Sequence, residues 1–157
     1  MSYQPSPASR HGYSHDQGTP FDPLEAIRGI DFGKDISAEL FGDIAQSKAR
    51  LVAQSGKDSR KNKSTQLRRF YDELVMWNDR VQAEITPEKR AGKYTELAPY
   101  IKMLNAKVAY AKGRGHVDDT FVAIYSRCIK QIQDVETLRH GKLFIEAFMG
   151  FYKAEEK

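Results

Sequence analysis

Lys57, Arg60, Lys61, Lys63, Arg68 and Arg69 crowd into one short stretch in which Asp58 is the only acid. A second set, Lys102, Lys107, Lys112 and Arg114, has no acid between its first and last members. A third, Arg127, Lys130, Arg139 and Lys142, is diluted by Asp134 and Glu136. Cations gathered without compensating acids neutralise phosphates, so the first two sets point to a sugar–phosphate backbone as ligand. Tyr110 and Tyr71 add π-faces on which bases can stack. Tyr71 also falls on a helical apolar stripe, where a core role is the simpler reading. Nothing in the pattern resembles a groove-reading module with a recognition helix, so binding is expected to follow backbone and shape rather than sequence.

Other chemistry is poorly served. Cys128 is the only cysteine, which excludes an internal disulfide framework and most zinc sites. It lies on an apolar stripe, where an inert buried thiol is expected rather than a nucleophile. Of the four histidines, His11 and His15 sit near the N-terminus, His116 in a turn and His140 near the start of a helix. His11 and His15 stand four apart but in the Ser-, Pro- and Gly-rich N-terminal stretch, where no site is expected, and neither His116 nor His140 has a partner at metal-ligand spacing. Asp118-Asp119 reads as a helix start, where carboxylates satisfy free N–H groups and the helix dipole. Gly113-Arg114-Gly115 is too short to cradle a phosphate. No enzyme, cofactor or metal site is expected.

The elements that must carry these cations are helices. Leu67, Phe70, Tyr71, Leu74, Asn78 and Val81 step by three or four, which predicts a helix over Ser64–Gln82 with Ser64 or Thr65 as its N-cap. On that helix Arg69 points well away from the stripe and Arg68 sits on its flank. Ile36, Leu40, Ile44 and Leu51 predict an earlier helix stopped by Gly56. Residues 83–94 read as a connection in which Thr86-Pro87 can open a helical turn. A helix near Glu96–Lys112 follows, then one around Val117–Val135, then a terminal one from about Thr137 to Glu155. Met103 and Tyr110 fall off the main stripe of the first of these, and the terminal helix is apolar on two sides. Both features are expected to ask for a partner, so self-association is anticipated. No run alternates as a strand does. The expectation is an all-α, compact bundle of about five helices over residues 35–157, preceded by a flexible tail over 1–34.

Charge follows the same division. Residues 1–56 carry five basic against seven acidic side chains, a net −2, and residues 57–157 carry twenty against fourteen, a net +6. No apolar run approaches the length of a membrane span, and the first twenty residues lack the apolar segment of a signal peptide. A soluble, cytoplasmic protein with no membrane partner is expected.

Three segments occur in an order that carries a resemblance: Ser64–Tyr71 (STQLRRFY), Leu104–Arg114 (LNAKVAYAKGR) and Phe144–Lys153 (FIEAFMGFYK). Together they resemble the small helical subunit of the type III-A CRISPR effector, the Csm complex, over roughly residues 60–155. The resemblance implies a non-catalytic subunit present in several copies, stacked beside the backbone subunits that hold the guide RNA and helping to keep target RNA paired to it. Its implied partners are guide RNA, target RNA, the backbone subunits and the large subunit. By motif position it carries RNA contact onto Arg68, Arg69 and Arg114, then onto Lys107 and Lys112; Gln66 and Tyr110 also match. Charge alone adds Lys61, Lys63, Arg127, Lys130 and Arg139. The competing reading is a structural helical adaptor whose basic surface has no direct RNA role; the all-positive Lys102–Arg114 run is what an adaptor does not need.

Overall fold

The computed structural model describes residues 20–156, and every regular element among them is helical. Helix α1 (Pro23–Ile27) is a short turn capped by Asp22, whose carboxylate accepts from the N–H groups of Leu24 and Glu25. A single π-helical turn, Leu40–Ile44, leads into α2 (Ala45–Ser55), which Gly56 ends. Then come α3 (Ser64–Gln82), α4 (Pro87–Lys102), α5 (Leu104–Gly113), α6 (Asp119–Gln131) and α7 (Val135–Glu155).

The stripe read on α3 is the buried one: Leu67, Phe70, Leu74, Asn78 and Val81 face inward. Phe70 meets Phe121 and Tyr125 of α6, with ring centroids 5.8 and 5.1 Å away. Phe121 in turn meets Phe148 of α7 at 6.1 Å, and Phe148 stacks on Tyr152 at 5.7 Å. This aromatic chain joins three helices in one core. Cys128 is fully buried within it, and burial pushes its thiol far above the ordinary range, so it is unreactive.

Five boundaries differ from the sequence reading. The helix read from Ile36 begins only at the Leu40–Ile44 turn, residues 36–39 being non-helical. Neither Ser64 nor Thr65 caps α3; the N-cap position is Lys63 and no side chain there bonds back. Thr86-Pro87 opens a full helix rather than a turn, with the Thr86 hydroxyl accepting from the Lys89 N–H. The single helix expected near Glu96–Lys112 is two, α4 and α5, which meet at Met103. Finally, residues 20–34, expected to belong to a flexible tail, include core positions: Ala26, Ile30 and Phe32 are buried. Gln131 holds this stretch, accepting from the Phe32 N–H at 2.8 Å and donating to the Ile30 carbonyl at 2.9 Å. The remainder of the tail, residues 1–19, lies outside the described residues.

Terminal helix α7 is apolar on two sides because α2 and α3 cover both. Its Leu138, Phe144, Ile145 and Phe148 are buried within the chain, while Leu143, Ala147, Met149 and Phe151 are half-buried. Met103 and Tyr110 remain exposed, at 53% and 67%.

The break between α4 and α5 has a visible partner. The Lys102 ammonium donates to the carbonyls of Ile129 and Ile132, closing the C-terminus of α6 where free carbonyls and the helix dipole favour a cation. Replacing Lys102 with Met keeps the aliphatic stem but leaves both part-buried carbonyls without that donor. The expected loss is about 1–2 kcal/mol of folding stability, read from chemical denaturation. A change near zero would mean that water caps α6 equally well.

Candidate nucleic-acid interface

Two anchors bring the basic sets together. The Asn62 N–H, two residues before α3, donates to the His116 carbonyl just beyond α5 at 2.9 Å. Further along, the Lys107 ammonium of α5 pairs with Glu73 of α3 at 2.7 Å. The start of α3 therefore lies beside the end of α5, and the two helices run antiparallel. Arg69, one turn before Glu73 on the same face, looks toward the end of α5 that carries Tyr110 and Arg114. Lys61 and Lys63 flank Asn62 at that same end. Lys61, Lys63 and Arg69 of the first set thus gather with Lys107 and Arg114 of the second along one cationic strip.

Its members differ in how free they are. Among the described residues, Lys61, Lys63 and Arg69 are exposed and make no ion pair. Lys107 pairs with Glu73, Lys112 with Asp119, and Arg68 more loosely with Asp72 at 3.8 Å. All three pairs are substantially solvated, so each is worth at most about 1 kcal/mol and gives way readily to a phosphate. Arg114 donates from Nη1 to the Tyr110 hydroxyl at 3.2 Å, with its guanidinium carbon 5.9 Å from the ring centroid. Lys102, part of the second set by sequence, is committed to the α6 carbonyls instead.

Arg68 faces the other side of α3. There Ser64, Thr65, Arg68 and Tyr71 line a groove of about 470 Å³ with Met149, Gly150, Tyr152 and Lys153 of α7. Sequence reasoning quoted Lys153 within a motif without assigning it a contact. Its placement beside Arg68 depends on α7 returning to the start of α3, which no local pattern encodes. Tyr71 is half-buried and donates to Glu146 at 3.3 Å, so it is structural, as its place on the stripe indicates.

Three predicted residues stand apart. Arg127 donates from Nε to the Ile30 carbonyl at 3.1 Å and secures the N-terminal stretch. Arg139 pairs with Glu136 at 2.6 Å in the first turn of α7, and this bond holds the Glu136 carboxyl below the usual carboxylate range. Lys130, in the last turn of α6, is exposed. Arg127 and Lys130 lie about 14 and 18 Å along the α6 axis from Asp118 at 1.5 Å per residue, and Arg139 follows on α7.

Among the described residues no group of three His, Cys, Asp or Glu side chains is placed to hold a metal ion. Asp118 is an N-cap, accepting from the Phe121 N–H at 3.1 Å. No helix of the described residues is long and apolar enough to cross a membrane.

A family model described as Csm2 Type III-A matches residues 39–157, well over half of the chain. The match begins before the π-helical turn and takes in α2, further toward the N-terminus than the three motifs reach. No curated protein and no solved structure matches.

Proposed function

The chain belongs to the Csm2 Type III-A family, small subunits of the type III-A CRISPR complex, and on that premise we propose that it lines the guide and target RNA within that complex. Several copies sit side by side along the RNA, in contact with the backbone subunits and the large subunit. The protein holds RNA in place and leaves chemistry to other subunits. It acts in the cytoplasm as part of a ribonucleoprotein.

The observation supporting the RNA part of this reading is the strip itself. Arg69, Lys61 and Lys63, without acidic partners among the described residues, stand beside Arg114. A surface that only met other proteins would gain little from keeping so many cations unpaired. A phosphate backbone neutralises them and releases counterions, which makes binding favourable and strongly salt-dependent.

The test is replacement of Arg68 and Arg69 together by Ala. Both side chains are exposed, so circular dichroism and melting temperature should stay unchanged. Removing two phosphate contacts should lower the salt slope for single-stranded RNA by about 1.4, at about 0.7 per contact, and weaken binding roughly 20-fold at 0.1 M salt. The structural-adaptor reading predicts the opposite: negligible RNA affinity at moderate salt, and no response to the double substitution.

A further inference from the structure

Tyr110 is the most exposed aromatic ring among the described residues, at 67%. Its neighbours on that face are cationic rather than apolar. Lys107 precedes it by one turn and Arg114 follows it by one turn, while Arg69 lies one turn before Glu73, the partner of Lys107 on α3. The Arg114 guanidinium touches the phenol edge, which fixes the ring's orientation while leaving most of it open. The core of a protein-docking patch is depleted in lysine, whereas Lys107 stands one turn from this ring. On that line of α5 only the small Ala106 is apolar within one turn, and the nearest large exposed apolar side chain, Met103, is two turns away.

We infer that Tyr110 and Arg114 form a seat for one unpaired nucleotide, the ring taking the base and the guanidinium the adjoining phosphate. The inference rests on the RNA-binding reading and sharpens it, because it names the strand state that the strip prefers. In an A-form duplex the base faces are already stacked on one another, so Tyr110 has nothing to accept. In single-stranded RNA every base has a free π-face, and stacking on an aromatic is sequence-tolerant. Arg114 adds the complementary charge one turn away. The strip therefore takes single-stranded RNA in preference to duplex of equal length.

The experiment compares the full chain with Tyr110→Ala, Tyr110→Phe and Arg69→Ala, using single-stranded and duplex RNA oligonucleotides of one length over a salt series. One single-stranded probe carries a fluorescent adenine analogue that reports stacking. Tyr110→Ala should weaken single-stranded binding about 5- to 100-fold, leave the salt slope and duplex binding unchanged, and abolish the stacking signal. Tyr110→Phe should retain all three. Arg69→Ala should weaken both RNA forms and lower the slope. If Arg69→Ala weakens binding but Tyr110→Ala does not, the nucleotide seat is overturned and the RNA reading stands. If neither substitution affects RNA affinity, both readings fall. If Tyr110→Ala spares RNA binding but prevents recovery with the other subunits of the complex, the ring is a protein contact and the inference is overturned.

Discussion

Phe121→Ala is expected to lower folding stability by about 3–5 kcal/mol, the range for removing a buried aromatic ring from a core that cannot collapse around the gap. Phe121 is 1% exposed and sits where α3, α6 and α7 meet. Its ring lies 5.8 Å from Phe70, 5.7 Å from Tyr125 and 6.1 Å from Phe148. Losing it removes apolar burial and three aromatic contacts together. A domain of this size is stable by only about 5–15 kcal/mol, so roughly a fifth or more of the whole is at stake. Urea titration should show the midpoint falling with little change in slope, because the fold that unfolds is the same one. Phe121→Leu should cost substantially less, since most of the volume is kept. A loss below about 1 kcal/mol for the Ala variant would mean that the three helices do not depend on a shared aromatic core. The functional consequence follows from α3. That helix carries Arg68 and Arg69 on its outer surface and Phe70 on its inner one, so what loosens Phe70 also loosens the cations beside it.

Much of this arrangement is legible along the chain. The α3 stripe, the α6 stripe and the Asp118 cap each depend on residues within one or two turns of one another, and local spacing encodes them. What escapes is whatever a distant partner decides. Pro99 in the last turn of α4 is a local signal for the break, but no local signal shows that α4 gives way to α5 where Lys102 reaches across to the end of α6. Ile30 and Phe32 lack periodic companions, so composition assigns them to a tail, yet Gln131 and Phe144 hold them in the core. The same division holds at the interface. Basic residue types are plain to read, but which of them are neutralised depends on Glu73, Asp119 and Asp72. Of these only Asp72 lies one turn from its cation.

Asn62→Ala is expected to cost about 2–4 kcal/mol, more than any other single polar substitution proposed here. The residue is only 2% exposed and sits in the left-handed region, with φ 61°. Asparagine tolerates that conformation better than alanine does, so part of the cost is backbone strain of about 1 kcal/mol. The rest lies in its bonds. The side-chain amide donates to the Val52 carbonyl at 3.3 Å, and its oxygen accepts from the Asp118 N–H at 3.0 Å. The Asn62 carbonyl accepts from the Tyr152 hydroxyl, whose titration burial pushes up to about 12. One side chain thus ties the end of α2 to the start of α6, while its backbone holds α5 and α7. A β-carbon on Gly56 would stand 2.9 Å from the amide nitrogen, so Gly56→Ala should disturb the same junction from outside. Asn62→Gly separates the two causes: it relieves the strain but not the lost bonds, and should be less damaging than Ala by about 1 kcal/mol. Equal losses for Ala and Gly would show that conformation contributes nothing. The junction also sets the interface, since Lys61 and Lys63 flank Asn62 and its N–H holds the turn after Arg114. Under conditions where the Ala variant is still folded, its affinity for single-stranded RNA should fall although no cation has been removed. Unchanged affinity would mean that the strip keeps its shape without this anchor.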